Sequence, residues 1–168
     1  YFEYKVQNGH LGENEAQDLF LFIRNQKYIG ILHKITAYGF STPYKKQIQK
    51  IDSTKKRVVY TFPKEENYIL KLLTYLLIRK YDGIFSPNLY SFRADYSVKQ
   101  AFQHILSTSN INQYYTYKVD ISDYFNSIDL NILLPSLHKV LSNDLALYEF
   151  IEAILRNPLV IEDGKIKQ

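Results

Sequence analysis

The sequence predicts an α+β fold rich in helix. Apolar residues recur at helical spacing in several separate stretches, and two β-prone runs flank a polar turn. No repeat, low-complexity tract or Gly/Ser linker breaks the chain into modules. At 168 residues it is about one domain's worth of chain, or one and a half small ones, and 46% hydrophobic with 23% charged residues suffices for a core.

Ala16, Leu19, Phe20 and Ile23, following Glu13-Asn14-Glu15, predict a helix over 14–26. Tyr28 to Tyr38 reads as a second short helix, ended by Gly39. After Pro43 the texture changes. Tyr44 to Ile51 and Arg57 to Phe62 are strands of a hairpin around Asp52-Ser53-Thr54-Lys55-Lys56, and Pro63 ends it. Between Glu65 and Lys80, Ile69, Leu72, Leu73, Leu76 and Leu77 make an amphipathic helix. Asp82 to Tyr96 is a loop with turn residues Gly83, Pro87 and Asn88. Ser97 is placed to cap a helix whose buried stripe is Val98, Ala101, Phe102 and Ile105. A strand is expected over 114–121, then helices over Leu133–Leu141 and Leu145–Leu155. Pro135 either kinks the first of these or marks its start. Leu159 to Lys167, centred on Asp163-Gly164, reads as a hairpin.

Composition narrows the function classes. Without cysteine there is no disulfide framework and no thiolate metal site, and nothing points to secretion. No apolar run approaches the ~18 residues needed to span a bilayer. The longest, Tyr68 to Ile78, is interrupted by Lys71 and reads as a buried helix. The N-terminus lacks the plan of a signal peptide, so the cytoplasm is the default and no membrane partner is expected. Methionine is absent even from position 1, and the chain therefore reads as an internal piece of a longer protein. A net charge of +4 leans towards a polyanionic partner, and some of the 16 Tyr and 10 Phe offer stacking surfaces, most being expected in the core.

Three blocks carry candidate chemistry. The hairpin concentrates Lys45, Lys46, Lys50, Lys55, Lys56 and Arg57. Alternate residues share a face, so Lys55 and Arg57 can point together. Such a ribbon can close over nucleotide phosphates, Arg giving bidentate contacts and Lys a point charge. The plain alternative is an edge hairpin kept soluble by lysines. In Asn88-Leu89-Tyr90-Ser91-Phe92-Arg93, Arg93 is placed to meet a nucleic-acid phosphate, lock a carboxylate near the site or form a rim salt bridge.

The third block is Tyr117-Lys118-Val119-Asp120-Ile121-Ser122-Asp123-Tyr124-Phe125. It sets Asp120 at a strand end beside the Ile121 carbonyl, a donor set suited to magnesium, which takes one or two carboxylates and fills its octahedron with phosphates and water. Asp123, Tyr124 and the turn amides would face a triphosphate or a second ion. Phe125 would lie against the sugar and leave no room for a 2′-hydroxyl. Taken alone, an Asp after a strand is ordinarily a turn former or helix cap. Asp129, before Leu130 and Asn131, reads as such a cap.

A basic hairpin, an aromatic-Arg loop with a helix, and then Asp-Ile-x-x-Tyr-Phe-x-Ser-Ile-Asp together resemble the reverse transcriptases of bacterial retroelements, group II intron-type enzymes above all. Lys56-Arg57-Val58-Val59-Tyr60-Thr61-Phe62-Pro63 matches the end of their fingers hairpin. Leu89-Tyr90-Ser91-Phe92-Arg93 matches their Ser-Tyr-Gly-Phe-Arg block, and Val119 through Asp129 their first palm motif. The likeness covers about residues 40 to 168, with weaker support before that. It departs at Ser91, in place of Gly, and at Ser122, where Lys or Gly is usual.

The resemblance implies the fingers (1–113) and the first part of the palm (114–168) of a right-hand polymerase. It implies an RNA template, a DNA primer, deoxynucleotides and two magnesium ions held by Asp120 with an Asp pair. Lys50, Lys56 and Arg57 become the triphosphate clamp. The family's Pro-Gln-Gly-type motif would begin a few residues beyond Gln168, and its Tyr-x-Asp-Asp further on. The expectation is therefore a fragment that does not polymerise alone, with apolar surface open to self-association. Two alternatives remain: a non-catalytic RNA-binding module of maturase type, and a reverse transcriptase-like phage-defence protein.

Overall fold

The computed structural model describes residues 1–49, 56–93 and 96–168. Among these residues are seven α-helices and one four-stranded sheet, in agreement with the α+β expectation. In chain order they are α1 (Phe2–Gln7), α2 (Glu13–Arg24), α3 (Lys27–Tyr38), β1 (Tyr44–Gln49), β2 (Lys56–Thr61), α4 (Lys64–Lys80), α5 (Val98–Ser107), α6 (Leu130–Val140), α7 (Leu145–Arg156), β3 (Val160–Glu162) and β4 (Lys165–Lys167). Two compact units result: residues 1–70 with 125–168, and residues 71–124. None of the helices among the described residues is long and apolar enough to cross a membrane.

In the first unit, α2 turns Leu19 and Phe22 onto Tyr68 of α4, and Tyr1, Phe2, Leu11, Tyr28, Ile31 and Ile69 close around them. The Phe22 and Tyr68 rings lie 5.2 Å apart, a tilted pair of the kind that adds to simple area burial. Gly39, at φ +76°, ends α3 where a side chain would be strained. Asp129 caps α6, accepting the Asn131 amide at 2.8 Å, as expected for its position. The helix starts there rather than at Pro135, which falls inside it.

The sheet order is β2-β1-β3-β4. Both hairpins are where the sequence places them, and Asp163 and Gly164, both at positive φ, make the two-residue turn of the second. Unforeseen is the parallel junction between them: Tyr44 pairs with Ile161, whose amide donates to the Pro43 carbonyl at 2.8 Å. Beside it, Glu162 accepts from Lys167 at 2.7 Å and from Lys45 at 2.9 Å. These two ammonium groups draw its carboxyl down to about 2.

Glu66, in the first turn of α4, is 1% exposed. Its carboxylate accepts from Lys34 at 2.6 Å, the Ser41 hydroxyl at 2.6 Å and the Ser41 amide at 2.9 Å. Burial alone would push this carboxyl upward, but the Lys34 ammonium and both Ser41 donors overcome it and hold the group below its ordinary value.

The second unit departs from expectation. None of its described residues is fully buried. α5 has the predicted apolar stripe, but Val98, Phe102 and Ile105 are exposed rather than buried. Ser97 sits at its N-cap position without bonding a backbone amide; its hydroxyl meets Gln100 instead. In α4, Tyr68 is buried, while Leu72 and Leu76 further along are exposed. The strand expected over 114–121 does not form. The alternation is present, yet a strand exists only where a neighbour completes its ladder, and no such neighbour is found among the described residues.

Glu66→Ala should lower stability by about 3 kcal/mol, because it leaves Lys34 and both Ser41 donors without their acceptor. A carboxyl held low in the fold contributes fully above its unfolded value, and that contribution fades as pH falls through the folded value. Wild type should therefore lose more stability than Glu66→Gln on acidification below about pH 4.5, read by urea unfolding at each pH.

Candidate functional site

β1 and β2 carry Lys45, Lys46, Lys56 and Arg57 and no carboxylate. Their register sets Lys46 opposite Val59, Ile48 opposite Arg57, Lys45 opposite Tyr60 and Gln49 opposite Lys56. Directly opposed residues share a face. One face therefore presents Tyr44, Lys46, Ile48, Arg57, Val59 and Thr61, and the other carries Lys45 and Lys56.

The register bears on the clamp expected from sequence: Lys56 and Arg57 are neighbours along one strand, so the pleat sends them to opposite faces. Among the described residues, the cation on the same face as Arg57 is Lys46, its diagonal neighbour, and both are exposed. Alternation could have singled out Lys46 only with the hairpin register in hand. Across the ribbon, Lys45 is drawn to Glu162. Lys50 and Lys55 lie outside the described residues.

In the second unit Arg93 is an internal lock. Its Nε and Nη2 donate to the two Asp82 carboxylate oxygens at 2.8 and 2.7 Å, and Nη1 to the Ser86 carbonyl at 3.0 Å. The guanidinium also lies 3.9 Å from the Tyr96 ring centroid, and the side chain is 5% exposed. Asp82 is held below its ordinary carboxyl value by this bidentate hydrogen bond. Of the three roles open to Arg93, the salt bridge is the one its geometry shows, to Asp82 of its own unit. The Tyr90 hydroxyl bonds His104 of α5 and ties the loop from the other side.

Phe92, between them, is 88% exposed at φ +61°. A bulky residue in the left-handed region costs of order 1–3 kcal/mol and is held there by its surroundings. Sequence reading passed over it because nothing local marks a phenylalanine for that conformation.

Asp120 and Ile121 lie in irregular backbone, exposed, at the end of the aromatic run. Asp123 follows at φ +51° inside a turn over 122–127 that contains Tyr124 and Phe125, also exposed. The motif straddles the division between the two units, Phe125 opening the second part of the first. A carboxylate and a carbonyl, as Asp120 and Ile121 offer, are hard oxygen donors of the kind magnesium takes. Among the described residues, no three His, Cys, Asp or Glu side chains are grouped to hold a metal. A two-ion centre therefore needs carboxylates from elsewhere.

Two outcomes follow from these placements. Arg57→Ala and Lys46→Ala should each weaken binding of inorganic tripolyphosphate about tenfold, the worth of one charge-assisted hydrogen bond, while Lys56→Ala changes it little; calorimetric titration reads all three. Arg93→Lys, which cannot fork onto Asp82, should speed limited proteolysis within the 82–96 loop and leave the first unit intact. Compared with protein-family models, with curated proteins and with solved structures, the chain matches none.

Proposed function

We propose that this chain is the nucleotide-gripping part of an RNA-directed DNA polymerase, built as the fingers and first palm segment of a group II intron-like reverse transcriptase. The observation that supports it best is the ribbon, whose two described strands carry only positive charges and whose Lys46 and Arg57 share one exposed face. A point charge beside a guanidinium fork suits a triphosphate. The order of hairpin, Arg93 loop and Asp120 motif adds to this.

In this reading Arg57 and Lys46 hold the β- and γ-phosphates of an incoming deoxynucleotide. Asp120 and the Ile121 carbonyl offer oxygens to magnesium, which when bound stabilises the attacking and leaving oxygens. Phe125 stands against the sugar and excludes a 2′-hydroxyl. Arg93 shapes the loop before α5 without touching substrate. Phe92 presents a ring on which a template base can stack.

A binding module without catalysis is the second reading. The exposure of Tyr115 and Tyr117 favours it, since such rings stack on single-stranded RNA whether or not chemistry follows.

In the whole enzyme, Asp120→Ala should abolish primer extension on an RNA template with an unchanged circular-dichroism spectrum, and Phe125→Ala should admit ribonucleotides. Extension unaltered by both would remove the site assignment. The 168-residue chain should not extend a primer. Extension by it that disappears with Asp120→Ala would overturn the need for further carboxylates. A pure binder would instead hold RNA with a steep salt dependence, indifferent to nucleotide and magnesium.

A further inference from the structure

The basic ribbon is joined to the rest of its unit by two short stems, residues 41–43 leading into β1 and residues 62–63 leading out of β2. Consecutive side chains at the start of α4 tie both. Glu66 accepts from the Ser41 amide and hydroxyl at 2.9 and 2.6 Å, and Asn67 donates from Nδ2 to the Phe62 carbonyl at 2.7 Å. Neighbouring residues on a helix diverge by about 100° around its axis, which lets one turn reach two stems.

Packing does not do this work alone. Behind the stems lies a cavity of about 200 Å³ whose walls include Phe40, Phe62, Phe150 and Ile154. On this side the Phe62 ring meets Phe40 at 5.4 Å between centroids, and the α4 hydrogen bonds add directional ties to that packing. Further out, beyond the single pairing of Tyr44 with Ile161, no third strand accompanies the ribbon among the described residues. At ~3.3 Å per residue, Ile48 and Arg57 stand about 17 Å from the stem, and a 10° rotation there moves them about 3 Å.

We propose that Glu66 and Asn67 are positioning residues that set the angle of the basic hairpin, and through it the place where Arg57 and Lys46 meet a polyphosphate. Its purpose rests on the phosphate-gripping reading above; the angle itself is measurable without any ligand. The Ile161 amide and Glu162 hold the entry stem from the sheet side, so the α4 pair decides the remaining swing.

The chain has no cysteine, and introduced pairs can therefore be spin-labelled specifically. Gln17→Cys on α2 with Gln47→Cys on β1, both exposed positions, reports the angle as a distance distribution by pulsed electron resonance. Asn67→Ala and Ser41→Ala should each broaden that distribution and displace it by about 2 Å. A pair across the ladder, Gln47→Cys with Val58→Cys, should keep its dipolar line width. Glu66→Gln should act in the same direction more strongly. If that variant does not fold, the two milder ones still decide.

A Gln17–Gln47 distribution identical to the parent's in folded Asn67→Ala and Ser41→Ala would overturn the proposal. So would loss of the ladder signal in both, since the bonds would then hold the strands together rather than aim them. Tripolyphosphate affinity, measured on the same variants, should fall about tenfold with the displacement. A parent chain that ignores tripolyphosphate would defeat the phosphate reading and leave the distances to judge the positioning role.

Discussion

One buried carboxylate organises the first unit. Glu66 brings a charge to a site 1% exposed, a costly placement unless partners surround it. Lys34 comes from α3, Ser41 from the stem, and the helix N-terminus adds its partial positive charge. The same stretch of α4 carries Tyr68 into the aromatic core against Phe22. A polar tie and an apolar anchor thus act within one helical turn, fixing α4, α3 and the start of β1 as a group.

The second unit is built on other terms. With no buried hydrophobic residue among its described residues, it gains little from removing apolar area from water. Its order comes from directional contacts: Arg93 forked onto Asp82 and stacked on Tyr96, and Tyr90 bonded to His104. Such contacts define a loop well and a core poorly. The motif containing Asp120 therefore sits where backbone position depends on whatever packs against Tyr115, Tyr117 and Val119, all largely exposed.

Much of the local structure was legible because its causes are local. Helical spacing marked α2, α4 and α7, Gly39 marked the end of α3, and Asp163-Gly164 marked the second hairpin. The junction of Tyr44 with Ile161 was not legible, since nothing in either short run names a partner more than a hundred residues away. The run over 114–121 and the stripe of α5 failed for a related reason. Periodicity states which face prefers burial, while burial itself requires a second surface. At the site, residue types were readable but their grouping was not. Lys56 and Arg57 look like a pair in the sequence and are divided by the pleat, and Arg93 met its carboxylate at Asp82 rather than near the Asp120 motif.

Because both faces of the β1–β2 ribbon are largely open to solvent, neither hydrophobic side dictates how the strands align. A slide by a single residue would carry Arg57 round to the opposite surface at little cost in buried area. What opposes it is anchorage at the base of both strands: the Pro43 carbonyl fastened by Ile161 before β1 and the Phe62 carbonyl fastened by Asn67 after β2. The face that bears Arg57 is thus dictated from the base of the ribbon.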